Sequence, residues 1–253
     1  ETTDYLMPYG ILKRSGVVDV MALSTKAGPV QLYPALKVMP EGTLQSFDTQ
    51  YPDGADYVIV PAMSRDDDPE VMAWLAAQAG KSATIIGVCA GAKVVAAAGL
   101  LNGRRGTTHW YYLGRLRALA PTVTYVPDRR LVADGNIITT TGISASMPMA
   151  LTLIEAIAGR AVAETTAQGL GLGAWPAGHD SDAFRISRPF ALTVLTNMVK
   201  QQERVTVPLR DGIDEVSLAL VADAWSRTYR SKAVSTAATL HGHESLNGLR
   251  ILP

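Results

Sequence analysis

The sequence predicts an α/β protein, a doubly wound and mostly parallel sheet with helices on both faces, followed by a helical C-terminal extension. Three observations predict it. Short β-branched runs alternate with helical patterns over residues 1–160, the arrangement of a parallel sheet covered on both sides. The apolar run Ile85-Ile86-Gly87-Val88 passes through Cys89 into the small-residue segment Ala90-Gly91-Ala92-Lys93. Beyond Gly159 the texture turns to glycine, alanine and proline between Gly169 and Gly178, then to two further helical patterns.

Taken in order, the first element is a helix from Asp4 to Ser15, stopped by Gly16. Strands are expected at Val17–Thr25, Ala55–Pro61, Ala83–Cys89 and Asn136–Thr141. A helix over Val71–Ala79 is opened by Asp68 and Pro69 and closed by Gly80. Asp134-Gly135 separates Leu131-Val132 from Ile137-Ile138 as a tight hairpin. Ser146–Ala158 reads as a helix ending at Gly159, and Pro189–Gln201 and Asp214–Tyr229 read as helices of the extension. From Ser231 onward the residues are small and polar and read as surface segment. No internal repeat is apparent. The division is an α/β domain over 1–160 and a helical extension over 161–253 packed on it.

Composition narrows the function classes. With 253 residues, 47% of them hydrophobic, the chain can bury one large core. Lys plus Arg and Asp plus Glu are 23 each, so no long-range field draws it to nucleic acid or to an anionic membrane. The extension agrees, with nine basic and nine acidic residues and no paired helix-turn-helix pattern. The longest apolar stretch, Ala83 to Leu101, is broken by Lys93 and three glycines, which excludes a membrane span there. The chain begins at Glu1 with neither an initiator Met nor an apolar leader; a cytoplasmic protein is expected, with an exported form left open. A single cysteine excludes an internal disulfide and a multi-cysteine metal site, so Cys89 is either a buried filler or a reagent.

The corner at Cys89 favours the reagent. Small neighbours let the backbone turn sharply there, with the sulfur close to the amides that open the next helix. Those amides and the helix dipole favour thiolate over thiol. Downstream runs Gly99-Leu100-Leu101-Asn102-Gly103-Arg104-Arg105-Gly106-Thr107-Thr108-His109-Trp110. The pair of motifs, Cys89-Ala90-Gly91 and then Thr107-Thr108-His109-Trp110, resembles the ThiJ/PfpI family within the class I glutamine amidotransferase-like superfamily. It is nearest to the isocyanide hydratases and to the amidase-like domains of AraC-type regulators. The resemblance spans about residues 1–160 and implies a flavodoxin-like fold, a cysteine on an elbow and a histidine that approaches the sulfur. It also implies an acidic side chain near the thiol, matched by Asp4 ahead of Pro8.

Three departures accompany it. The family's first strand lies just before the acidic position, whereas this chain starts three residues ahead of Asp4. Many relatives carry Gly-Gly after the strand that here ends in Val58-Ile59-Val60-Pro61; this chain has Ala62-Met63. After the cysteine stands Ala90, where the hydratase branch commonly has threonine and the peptidase branch histidine, which disfavours a peptidase and weakens isocyanide hydration.

The expected mechanism follows from the resemblance. Cys89 attacks an electrophilic carbon, His109 moves a proton, and Asp4 acts as acid, while the amides of Ala90 and of Ala62 or Met63 hold the developing anion. Gly91, Trp110 and Thr140 complete the pocket. The bland alternatives are a dipole-complementing carboxylate for Asp4 and a polar strand-end residue for His109. His241-Gly242-His243-Glu244 reads as surface, Arg104 and Arg105 as a solvated turn, and Thr139, Thr141 and Ser144 as either pocket hydroxyls or helix caps. The resulting expectation is a small-molecule hydratase or amide-hydrolase-like cysteine enzyme, or else a ligand or oxidation sensor of the same fold. Neither cofactor nor metal is expected, and the partners are a small-molecule substrate or ligand and a second copy in a homodimer.

Overall fold

The computed structural model describes all 253 residues. In chain order it begins α1 (Thr2–Ser15), β1 (Leu23–Ser24), β2 (Val30–Gln31), β3 (Lys37–Met39), β4 (Gly42–Thr43), α2 (Leu44–Gln50), β5 (Tyr57–Val60), α3 (Pro69–Gly80), β6 (Thr84–Gly87) and α4 (Gly91–Ala97). It continues β7 (Arg105–Gly106), a 3-10 turn at Trp110–Tyr112, α5 (Leu113–Leu119), β8 (Thr124–Tyr125), β9 (Leu131–Asp134), β10 (Ile137–Thr140), α6 (Ser146–Ala158) and α7 (Arg160–Gly169). The last third supplies α8 (Arg188–Val199), β11 (Glu203–Pro208), α9 (Glu215–Ser226), β12 (Ser231–Thr236), β13 (His243–Glu244) and β14 (Arg250–Leu252).

The central sheet runs β5-β6-β10-β9, its first three strands parallel and β9 antiparallel. Its middle strands are buried on both faces: Ile85, Ile86 and Ile137 are each at most 1% exposed, as the unbroken apolar runs demand. One core cluster joins α1 and α6 to Val88 and Cys89, while a second packs α3, α4 and α5 on the opposite side. The two clusters are the two helical layers of the doubly wound architecture. Helix signals act as expected, with Asp68 capping α3 ahead of Pro69 and Gly16 stopping α1 at φ 68.

Several expectations change. Of the strand expected at Val17–Thr25, only Leu23–Ser24 pairs, and only with β4, because the residues after Gly16 face no neighbouring strand. The hairpin forms one residue later than expected: Asp134 pairs with Ile137, leaving Gly135-Asn136 at the tip with Gly135 at φ 61. The C-terminal segment carries α8 and α9 and, in addition, four strands. From Ser231 onward the chain is not a loose surface segment: Ser231, Ala233 and Ser235 are buried in alternation, and Leu249 and Ile251 are fully buried. Small side chains concealed that period of two. β14 joins β3 in a second sheet, β13-β14-β3-β2, so the chain's first and last forty residues share one layer. No helix is long and apolar enough to cross a membrane.

The turn from β6 into α4 rests on close backbone approach. A Cβ on Gly91 would overlap the Val60 carbonyl oxygen and lie 2.9 Å from Pro61, while one on Gly114, in exposed α5, would meet nothing. Gly91→Ala is therefore expected to lower unfolding stability by on the order of 2–4 kcal/mol, whereas Gly114→Ala raises it by about 0.5–1 kcal/mol. Urea unfolding of the two variants reads this directly. Equal effects would show that the approach of α4 to β5 is not a tight one.

Candidate active site

Cys89 sits at φ 56, a left-handed conformation that costs a non-glycine residue about 1–2 kcal/mol. Two buried threonines hold it there. The Cys89 N–H donates to Thr140 Oγ1 at 3.0 Å, and Thr108 Oγ1 donates to the Cys89 carbonyl at 3.0 Å. Thr140 in turn donates to the Thr141 carbonyl at 3.1 Å, which fixes the direction of its lone pairs. Next to them, Thr139 Oγ1 accepts from the Thr107 N–H at 2.8 Å. Of the hydroxyls that the sequence offered as pocket lining or caps, Thr140 holds the elbow and Thr139 the Thr107 amide, while the buried Thr141 hydroxyl has no hydrogen-bond partner.

The sulfur is closed off, with Cys89 only 2% exposed. Its acidic neighbours come from the start of α1: ligand-type atoms of Glu1, Asp4 and Cys89 all lie within 4.8 Å of one another. Asp4 Oδ2 accepts the Ala62 N–H and Oδ1 accepts the Ser146 hydroxyl, each at 3.2 Å. Burial, followed by the charge of Glu1, pushes the Asp4 carboxyl up to about 7. Burial, followed by the charges of Asp4 and Glu1, pushes the Cys89 thiol well above its usual range, against the opposing Ala90 N–H and Arg227. The thiolate expected from the helix mouth is therefore not the resting form. One amide and a seven-residue helix are outweighed by desolvation beside two carboxyls.

His109 does not hydrogen-bond to the sulfur. Its Nδ1 accepts the Tyr111 N–H at 3.2 Å and caps the 3-10 turn, which places the ring proton on Nε2. The ring lies against Gly142, where a Cβ would stand 2.7 Å from Cδ2, and 5.3 and 5.9 Å from the rings of Trp110 and Tyr112. Burial, followed by the charge of Arg227, lowers its pKa to about 4, so the imidazole is neutral at physiological pH.

The expected anion donors divide. The Ala90 N–H is the backbone group that opposes the raising of the Cys89 thiol. The Ala62 N–H is taken by Asp4 and the Gly91 N–H by the Val88 carbonyl at 2.7 Å, so neither is a free donor. Met63 packs beside the second core cluster, and Trp110 stands half-buried on the 3-10 turn. Away from the site, Arg104 donates to the Asp134 carbonyl at 2.8 Å and braces the hairpin, and exposed Ser144 meets Arg130 at 3.5 Å. His243 pairs with Asp211 at 3.1 Å at the surface.

Three residues of the site escaped the sequence reading. Ser146 was visible only as the start of a helix, and its bond to Asp4 spans most of the chain. Glu1 and Arg227 form an ion pair beside the thiol, with Arg227 also held by Asp223 at 2.8 Å. No local pattern around Arg227 points across the molecule to Glu1.

Residues 1–156 match the model of the DJ-1/PfpI family. The chain is 33% identical over 161 residues to an isonitrile hydratase of Pseudomonas putida, covering 62% of this chain and 67% of that protein. It is 28% identical over 168 residues to a Parkinson disease protein 7 homolog of Danio rerio, covering 64% of this chain and 87% of that one. The crystal structure of Drosophila melanogaster DJ-1beta superimposes with a TM-score of 0.61 at 23% identity, over 69% of this chain and 93% of that chain. With the elbow, the Thr-Thr-His segment and the buried acid in these places, the chain belongs to the DJ-1/PfpI family.

Proposed function

We propose that the chain is a cysteine-dependent hydratase that adds water to a small, uncharged carbon–nitrogen multiple bond through a covalent adduct on Cys89. The observation that carries this reading is the juxtaposition of the buried Asp4 carboxyl, pushed up to about 7 by burial and Glu1, with the buried Cys89 thiol, their ligand-type atoms within 4.8 Å of one another. A site of that kind suits addition of S–H across a multiple bond better than attack by a free thiolate. Sγ bonds to the carbon, the displaced electron pair takes the Asp4 proton, and the thiol proton passes to the carboxylate left behind. Water then attacks the adduct carbon, the C–S bond breaks, and the thiol is restored, so the net change is one water gained. The Ala90 N–H favours negative charge on the sulfur, and neutral His109 is a donor through Nε2 to a substrate atom rather than a base for the thiol. The relationship to an isonitrile hydratase supports the same class, while Ala90 in place of threonine argues for a different substrate shape.

The second reading is a site that is modified and turns nothing over. The 2% exposure of Cys89 restricts access for modification as much as for turnover. A peroxide sensor needs a thiolate, and the raised thiol counts against that form of it.

Hydration of a panel of isonitriles and nitriles tests the proposal. Cys89→Ser is expected to abolish turnover, and Asp4→Asn to lower kcat by about 10²–10⁴-fold. Because the acid form of Asp4 is the competent one, wild-type activity falls as pH rises through about 7. Turnover that survives in Cys89→Ser would end the reading.

Alkylation of Cys89 across pH provides an independent check. The inflection is expected above that of a free cysteine, and lower in Asp4→Asn than in the wild type, because a charge that raises it has gone. An unchanged inflection would separate the two groups.

Stability carries the same signature. The folded pKa of Asp4, about 7, exceeds its unfolded value of 3.8, so its contribution is fully present below the lower value and is lost as pH rises through the higher one. Wild type should lose on the order of 2–4 kcal/mol relative to Asp4→Asn over that interval, measured as the pH dependence of the urea midpoint. Parallel pH curves for the two proteins would show Asp4 to be ionised at little cost.

A further inference from the structure

The end of the chain repeats its beginning, although inspection of the sequence alone did not show it. Ala22-Leu23-Ser24-Thr25 recurs as Ala233-Val234-Ser235-Thr236, and Leu36-Lys37-Val38-Met39-Pro40 as Leu249-Arg250-Ile251-Leu252-Pro253. The helices before them correspond as well, α1 ending at Ser15 and α9 at Ser226. Buried Asp4, Met7, Pro8, Ile11 and Leu12 stand where α9 buries Glu215, Leu218, Ala219, Ala222 and Asp223. Even a loop hydrogen bond recurs: Leu32 N–H to the Leu36 carbonyl at 2.9 Å, and Ser245 N–H to the Leu249 carbonyl at 2.8 Å.

The two copies meet about a pseudo-two-fold axis. In the pairing of β3 with β14, Val38 faces Ile251, its own counterpart; Lys37 faces Leu252 and Met39 faces Arg250, which are reciprocal contacts. The outer strands obey the same relation, Val30 on Val38 and Gln31 on Lys37 in one copy, His243 on Ile251 and Glu244 on Arg250 in the other. α1 packs on α9, and each end of the pair is tied by an arginine: Arg14 near the end of α1 to Asp214, the N-cap of α9, at 2.6 Å, and Arg227 after α9 to Glu1, the N-cap of α1. Contacts in which residue i meets j and the counterpart of j meets the counterpart of i define an isologous interface, normally made by two separate chains.

We propose that residues 213–253 are a duplicate of the unit 2–40, and that the α1/β3 face is a self-association surface whose occupant in this chain is its own duplicate. Covalent linkage sets a high effective concentration, so the duplicate outcompetes the same face of a second chain. The docked duplicate also brings Arg227 to Glu1 beside Cys89. This inference does not rest on the hydratase reading.

Ile251→Asp in the full chain tests it, because a carboxylate facing Val38 expels β14 and exposes β3. Sedimentation should show a folded variant whose mass doubles as concentration rises, and Val38→Asp added to it should return the monomer mass. An Ile251→Asp variant with wild-type circular dichroism and a single monomer mass at every concentration would overturn the proposal. If Ile251→Asp fails to fold, the pair Lys37→Cys and Leu252→Cys in a Cys89→Ser background decides instead. A short bis-maleimide should link the pair within one chain, while links between chains, or no link, would overturn it.

Discussion

A non-glycine residue in left-handed backbone at the end of a buried strand is the constraint from which the rest of the site follows. Cys89 keeps φ 56 because its amide and carbonyl are both bound, by Thr140 from β10 and by Thr108 from the segment after β7. Neither bond is local. The elbow is therefore stable only once β6 and β10 are paired in register and the Thr-Thr-His segment has been laid over them. Two hydrogen bonds to buried groups, each contributing about 1 kcal/mol net, are of the size needed to offset the strain. Gly91 contributes the other condition, since any side chain there would push α4 away from the end of β5.

Once the sulfur is fixed in that corner, its protonation is decided by what closes over it. α1 lays Glu1 and Asp4 against it, and Asp4 is held from both sides by Ala62 and Ser146. These two bonds favour the carboxylate, yet burial and Glu1 outweigh them, and the same two acids then work against ionisation of the thiol. The pocket thus keeps a proton close to the sulfur. The Ala62 amide, tied to Asp4, is not free as an anion donor.

How much of this was legible in the sequence depends on how local each feature is. The elbow was, because the strand, the cysteine and the small residues that turn the chain are contiguous, and the fold class followed from the alternation of elements on either side. Asp4 was located only through the family resemblance, which implies an acid ahead of the proline matched by Pro8. The sign of the thiol shift was not legible, since it sums contributions from Glu1, Asp4, Ala90 and Arg227, which lie far apart in the chain. The strand expected at Val17–Thr25 shrank because propensity cannot supply a partner strand. Conversely β12 went unnoticed because serine and alanine fill its buried positions.

The duplicated unit adds a consequence for how the site is maintained. Arg227 leaves α9 and is gripped by Asp223 before it reaches Glu1, so its position is set by the docking of α9 on α1 rather than by the α/β sheet. Burial makes the Glu1 carboxylate expensive, with Asp223 adding to that cost, and Arg227 is the largest of the influences that oppose it. The docked C-terminal segment thus supplies the positive charge that opposes burial of Glu1 beside the thiol.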